Sequence, residues 1–381
     1  MRVAIDLTQV DNQNLGSGQF RYCVDLVNGL VAHASDVDLT VFGSTARPRD
    51  EFAAAVEARD RTRYIHMASI GGRGYVYRDI FRRTWRLASR RVDVFHQPHT
   101  YFPIPKPCPV VLTAYHYNED RLLFSTRPYR YYLWSLRRRA DAVIMLSEAA
   151  RRDFHTHFGV PLERMRTIYC GLSPTLATGG GQRRVRPFIL SPYNLSPPKN
   201  LSSLIRAWPD IAHRFPALEL VLYGRSFVTP DSEAEFERLL ANTDAADRVH
   251  RVGYVPDSDL ADLFRGCELF VFPTTVEGFG YPLLEAMAHG ACCIARNASA
   301  MREVGDDAVR LVETLNANEI AQAAIELLGN RAEHARLRAR AADRARGFTI
   351  ERMVRQTVEC YRSVIDTGAR QRESGSAADS A

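Results

Sequence analysis

At 381 residues the chain is too long for one ordinary hydrophobic core, so two domains are expected. Hydrophobic and charged contents of 46% and 25%, with a net charge of +6, are those of a globular protein, and no apolar run approaches the roughly 20 residues that span a bilayer. The seven cysteines (23, 108, 170, 267, 292, 293 and 360) follow neither a metal-site nor a disulfide-scaffold spacing, which excludes those classes and points to a reducing cytoplasm.

The chain opens on MRVAIDLTQV, whose apolar run carries Asp6 and reads as a first strand, not a signal peptide. Gly16-Ser17-Gly18 follows, ahead of a helical pattern over 20–30. A glycine turn before a helix lets a phosphate or sugar approach closely, and it is equally ordinary turn chemistry. Apolar runs at 3–7, 39–42, 92–96, 109–113 and 142–147 alternate with helical patterns, and a second set follows at 188–191, 218–224, 268–272 and 291–295. Such alternation builds parallel sheets with helices on both faces. The stretch 172–187, with glycines at 179–181, separates the sets. The expectation is an N-terminal domain at 1–178, a linker at 179–187 and a C-terminal domain at 188–349. The fold class is α/β, two doubly wound Rossmann-like domains facing a central cleft, with ligands beyond the C-terminal strand ends.

Within the first half, Arg78, Arg82, Arg86 and Arg90 recur every fourth residue, and Tyr77, Phe81 and Trp85 form a second face with the same spacing. A basic, aromatic, amphipathic helix suits an anionic membrane surface; the competing reading is an aromatic core stripe with solvated arginines. The stretch 127–141 has a similar flavour, but its apolar positions read as core. No nucleic-acid motif accompanies the charge. His116 lies just past the run 109–113, where functional residues gather, although a lone histidine is as often structural. His96 and His99, either side of Pro98, are secondary candidates. No His/Asp/Glu cluster has metal-ligand spacing, so no metal is expected.

In the second half, SPYNLSPPKN (191–200) lies between a strand and a helix. Lys106 and Lys199 are the only lysines in an arginine-rich chain, and Lys199 sits near that helix start, where a compact charge could neutralise a diphosphate. Tyr223-Gly224-Arg225 ends another strand, its glycine allowing a nucleoside to approach, and VHRVGYVP (249–256) ends a third. The stretch 267–290 carries the densest signal. A buried strand leads into a loop with Glu277, Gly278, Phe279 and Gly280; Pro282 marks a helix start and Gly290 its end, which puts Glu285 in the first turn. A helix start with close glycines favours an anion. Two carboxylates beside it need hydroxyls to face, so the ligand has phosphate at one end and polyol at the other. Cys292 and Cys293 in ACCIA read as small core residues. A basic helix over 331–348 and an amphipathic helix over 351–365 follow, and the small polar tail 368–381 is expected to be disordered.

With these pieces in place, the sequence resembles the retaining glycosyltransferases of family 4, the glycosyl transferases group 1, along almost its whole length and most strongly over 248–307. Glu277 and Glu285 match that family's two glutamates eight apart, with GFG and a proline between them; ALELVLYG, PPKNLSSLIRAW, GSGQFRY and the strand ending at 143–147 with Glu148 match further blocks. The resemblance implies the two-domain GT-B fold, with the last helix, about 350–367, packing back on the N-terminal domain. It implies a nucleotide-diphosphate sugar in the C-terminal domain, no other cofactor and no metal. By similarity Glu285 would hold the ribose, and Lys199 the diphosphate. Glu277, with Gly278 and the backbone N–H groups of Phe279 and Gly280, would meet the donor sugar. Arg225, Tyr254 and Val255 would lie near the nucleoside, Gly16 and Gly18 near the donor, and His116 on the acceptor side. Where the family carries glycine and arginine ahead of the lysine, this chain has Tyr193 and Asn194, and Asn194 brings hydrogen bonds without charge.

The implied reaction is transfer of a mannosyl, glucosyl or rhamnosyl unit to a hydroxyl of a glycan or lipid-linked glycan, in cell-surface polysaccharide or glycoconjugate synthesis at the cytoplasmic face of a membrane. Charge developing on the departing diphosphate makes Lys199 and the helix start at 279–283 the main levers. Glu277 is the nearest candidate nucleophile, and front-face attack assisted by the diphosphate is the preferred route to retention. A sugar-nucleotide epimerase of the same architecture is one alternative. A non-catalytic binding subunit is the other, and the retained Glu277, Glu285 and Lys199 weigh against it.

Overall fold

The computed structural model describes residues 1–8, 18–48, 50–57, 60–67, 90–98, 108–115, 134, 137–172, 186–224 and 229–378. They form two units, one of Met1–Gly171 with Thr349–Ala381 and one of Leu172–Phe348. The first division falls ahead of the linker expected at 179–187, most of which lies outside the described residues. Glycine and proline content marks where a chain is small and polar, whereas the contacts of the first unit end sooner, once its last strand is paired.

The first unit is a parallel seven-stranded sheet of β1 (Arg2–Asp6), β2 (Asp38–Gly43), β3 (Thr62–His66), β4 (Val94–Gln97), β5 (Val110–Ala114), β6 (Ala142–Met145) and β7 (Met165–Thr167), in the order β3-β2-β1-β4-β5-β6-β7. Strands β4, β5 and β6 are buried at every position, as the inner strands of a sheet covered on both faces must be. The edge strands β3 and β7 escaped the sequence reading because they are half exposed and carry Arg63 and Arg166 in place of an apolar run. Helices α1 (Gly18–His33), α2 (Asp50–Glu57) and α3 (Glu148–Phe158) belong here, with the C-terminal helix Ile350–Ala378. That helix crosses α1 at Gly29, where an added Cβ would lie 2.6 Å from an Ile350 methyl and 2.7 Å from one of Val354. It runs on to Ala378, so the tail expected to be disordered is helical to that point. Ala, Arg, Gln and Glu are good helix formers, and extending an existing helix needs no new nucleus.

The C-terminal helix is also tied to the sheet through a buried polar chain. His96 Nδ1 and Tyr361 Oη are 2.7 Å apart, His96 Nε2 and Thr113 Oγ1 2.8 Å, and Thr113 Oγ1 and Tyr22 Oη 3.2 Å. His96 is therefore structural, and burial pulls its pKa from 6.5 down to about 3. The unfolded chain takes up this proton below 6.5 and the folded one does not until about 3, so the unfolded state gains as pH falls. Folding stability should be full above pH 6.5 and decline from there toward 3. Urea midpoints measured across that range should fall less steeply in His96→Gln than in the unsubstituted chain.

The second unit is a parallel six-stranded sheet of β8 (Phe188–Pro192), β9 (Glu219–Tyr223), β10 (Val249–Gly253), β11 (Leu269–Phe272), β12 (Cys293–Arg296) and β13 (Arg310–Val312), in the order β10-β9-β8-β11-β12-β13. Around it lie α4 (Leu201–Arg214), α5 (Pro230–Ala241), α6 (Asp257–Gly266), α7 (Tyr281–Ala288), α8 (Ser299–Gly305), α9 (Ala317–Gly329) and α10 (Arg331–Ala345). Its core gathers Leu204, Ile205 and Trp208 of α4 with Ile320, Ala324 and Leu327 of α9, and the fully buried indole donates from Nε1 to the Ala245 carbonyl at 3.0 Å. Cys292 and Cys293 are fully buried, as ACCIA suggested, and burial pushes the Cys292 thiol up to about 12. The chain reverses its winding between β8 and β11, and loops gather beyond the C-terminal ends of such strands.

Candidate active site

Strand β11 ends at Phe272 and delivers the chain into the loop 273–280. Thr275 anchors the loop against the turn 197–199: its N–H and hydroxyl both donate to the Pro198 carbonyl, at 2.8 and 3.1 Å. Arg296 donates to the Thr275 carbonyl at 3.0 Å. Gly278, Phe279 and Gly280 are buried. The Phe279 ring meets Tyr281 edge-on at 5.5 Å and Phe348 at 5.9 Å. Gly280 then opens α7 with φ at 92°, a conformation that needs glycine.

Pro282 sits in the first turn of α7, as expected, but Glu285 does not. The helix begins at Tyr281, which puts Glu285 in the second turn. Helical side chains lean toward the N-terminus, so the carboxylate still serves the same end of the helix. Glu285 is 7% exposed. Its charge, after burial itself, pushes the Tyr223 hydroxyl well above its ordinary pKa. That hydroxyl is buried at the end of β9 with no hydrogen-bond partner. Gly224 and Gly253 follow at φ 100° and 69°, joined by the Gly224 N–H to Gly253 carbonyl bond at 2.7 Å. Tyr254 beyond them is 53% exposed and Val255 partly buried.

Lys199 lies on the other wall of the loop. A short 3-10 turn over Pro197–Lys199 ends at Asn200, in the left-handed region at φ 51°, which begins α4. The ammonium pairs with the Glu277 carboxylate and lies 6.0 Å from the centre of the Phe272 ring. Sequence reasoning assigned Lys199 and Glu277 to different parts of a ligand; the fold joins them as an ion pair, 30% and 15% exposed.

The two unusual residues ahead of the lysine turn away from this pair. The Tyr193 hydroxyl donates to Glu233 at 2.9 Å, and Arg251 donates to Glu233 at 2.9 Å while its guanidinium lies 5.7 Å from the Tyr193 ring centre. Asn194 Oδ1 accepts from the N–H and hydroxyl of Ser196, at 3.0 and 2.8 Å, closing a local turn. Tyr193 thus packs on α5, and Asn194 shapes the loop that carries Lys199. Among the described residues, no group of three His, Cys, Asp or Glu could hold a metal ion.

The site therefore brings together Lys199, Glu277, Gly278, Phe279, Gly280 and Glu285. Gly18 is exposed at the first residue of α1, in the other unit. Gly16, His99, His116, Arg225 and the basic stretch Tyr77, Arg78, Phe81, Arg82, Trp85 and Arg86 lie outside the described residues. Sequence reasoning missed two residues. Tyr223 was noted only as the neighbour of a glycine. Ser299, whose hydroxyl grips the Glu277 backbone, had no signal beyond a hydroxyl near a helix start.

The family model described as Glycosyltransferase Family 4 matches residues 16–176, and that described as Glycosyl transferases group 1 matches 180–346. The O-antigen chain mannosyltransferase B of Escherichia coli is 25% identical over 304 residues, covering 74% of this chain and 77% of that protein. The MMP alpha-(1->4)-mannosyltransferase of Mycolicibacterium hassiacum is 30% identical over 234 residues, covering 60% of this chain and 55% of its own. Among solved structures, Anabaena HepE in complex with UDP-glucose shares the fold at a TM-score of 0.76 and 18% identity, over 95% of this chain and 100% of that one.

Proposed function

The chain belongs to the family 4 glycosyltransferases of GT-B fold, and on that premise we propose that it moves a mannosyl unit, with retention, from a nucleotide-diphosphate sugar to a hydroxyl of a glycan or lipid-linked glycan. The observation that carries this reading is the Lys199–Glu277 pair beside the glycine-opened start of α7, with Glu285 one turn in. Mannose is the favoured sugar because the two relatives described above are named mannosyltransferases. The HepE complex supports a nucleotide-sugar donor in this fold.

Cleaving the bond between sugar and diphosphate leaves negative charge on the departing group and oxocarbenium-like charge on the sugar. The Lys199 ammonium and the positive end of the α7 dipole would supply fixed positive potential for that diphosphate. Glu277 would hold hydroxyls of the sugar, and Glu285 those of the ribose. Gly253, Tyr254 and Val255 would line the base. The lysine and the helix start can neutralise that charge without a divalent ion. The acceptor would attack from the face that the diphosphate leaves, with a diphosphate oxygen taking its proton.

Assays with GDP-mannose, UDP-glucose and dTDP-rhamnose, each with and without a lipid-linked glycan acceptor, test this. The expected result is acceptor-dependent transfer from GDP-mannose, unchanged by EDTA, giving an α-linked product. Acceptor-independent conversion of any donor into its epimer would replace the reading with an isomerase.

We also propose that the chain works at the inner face of a membrane, where lipid-linked acceptors present their head groups. The four-residue spacing of Arg78, Arg82 and Arg86, and that of Tyr77, Phe81 and Trp85, supports this. Among the described residues no helix is long and apolar enough to cross a membrane. Reversing the charge at the three arginines should abolish co-sedimentation with anionic vesicles, and unchanged co-sedimentation would refute the surface.

A further inference from the structure

Ser299 closes on the Glu277 peptide from both of its polar ends. Its hydroxyl donates to the Glu277 carbonyl at 2.6 Å and lies 3.3 Å from the Glu277 N–H, which donates to it. A loop backbone that would otherwise rely on water is thereby fixed at the residue whose carboxylate meets Lys199. Ser299 does this at a conformational cost. Its φ is 55°, in the left-handed region that a non-glycine residue adopts only where its surroundings require it. Glycine would take that backbone with less strain but brings no hydroxyl. The neighbouring anchors act on the same loop: Arg296 on the Thr275 carbonyl from the Ser299 side, and the Pro198 carbonyl on Thr275 from the Lys199 side.

We propose that Ser299 is a positioning residue for the transfer: it fixes the Glu277 peptide so that the carboxylate and the Lys199 ammonium are presented together to the sugar and diphosphate of the donor, and it acts only through Glu277. The inference rests on the reading that Glu277 meets the donor. A loop that shifts by a fraction of an ångström keeps its fold and still loses rate, because the reacting groups leave their aligned geometry.

The test uses the full chain with a transferred sugar donor, comparing Ser299→Gly, Glu277→Ala and the double variant in kinetics and thermal melting. Ser299→Gly should melt at or above the unsubstituted temperature, since glycine relieves the strained φ. Its kcat should fall by about 10- to 100-fold, with donor KM moving less. The double variant should be no slower than Glu277→Ala alone, as two residues acting through one group are not additive. Unimpaired transfer by Ser299→Gly, losses that multiply in the double variant, or a melt well below that of the unsubstituted chain would each overturn the assignment. Undiminished transfer by Glu277→Ala would bring down the parent reading and this one together. An impaired Glu277→Ala beside an unimpaired Ser299→Gly would bring down this one alone.

Discussion

Lys199→Ala is expected to lower kcat by about 10²–10³, the loss typical of removing one preorganised group from developing negative charge. The size follows from where the charge appears. In the ground state the diphosphate already carries charge that solvent shares, whereas in the transition state another unit develops on the bridging oxygen, which the proposed binding mode sets beside the lysine. An interaction that strengthens along the reaction lowers kcat when removed and shifts donor KM less. Stability should hardly change. The pair with Glu277 is partly exposed, and such pairs contribute under about 1 kcal/mol. Initial rates at saturating donor, alongside thermal melts, check both parts. Lys199→Arg should restore only part of the rate, because a planar fork does not occupy the place of a compact ammonium. Near-normal kcat in Lys199→Ala would remove the lysine from the chemistry.

Glu285→Gln should give the opposite kinetic signature. The carboxylate is 7% exposed in the second turn of α7, one step behind the reacting end, and its proposed partners are ribose hydroxyls that do not change during transfer. Hydrogen bonds to a charged group contribute about 1.5–3 kcal/mol, so donor KM should rise by about 10- to 100-fold while kcat stays within a few-fold. Isothermal titration with the free nucleoside diphosphate separates this from a fold defect. The variant should bind it weakly and melt normally when no ligand is present. A variant that binds the nucleotide as tightly as the unsubstituted chain would place the ribose elsewhere.

These two residues also show what was legible in the sequence. The alternation of apolar runs predicted two parallel sheets, because strands buried on both faces are largely apolar, as β6 and β11 are. The edge strands β3, β7 and β13 were invisible for the same reason in reverse, since one side meets solvent and tolerates arginine. Gly280 and Pro282 announced the start of α7 through conformational demands that only those residues satisfy. Glu285 was placed a turn too early, because side-chain spacing does not reveal where the first helical φ falls. The pairing of Lys199 with Glu277 could not be read at all: the two are far apart in sequence and meet only because β8 and β11 are neighbours in the sheet. Ser299 is hidden by the same kind of closure. The substitution of Tyr193 and Asn194 for a glycine and an arginine became intelligible only through Glu233, Arg251 and the Ser196 turn, which hold both side chains away from the site.

The central claim is that one site beside the start of α7 receives a nucleotide-diphosphate sugar. A crystal structure of the chain with the donor it turns over examines that claim most directly. The expected result is diphosphate oxygens within hydrogen-bond distance of Lys199 Nζ at the N-terminal end of α7, the ribose against Glu285, and Glu277 released from the lysine to meet the sugar. Donor bound elsewhere, or bound with Glu277 and Glu285 both turned from it, would contradict the account.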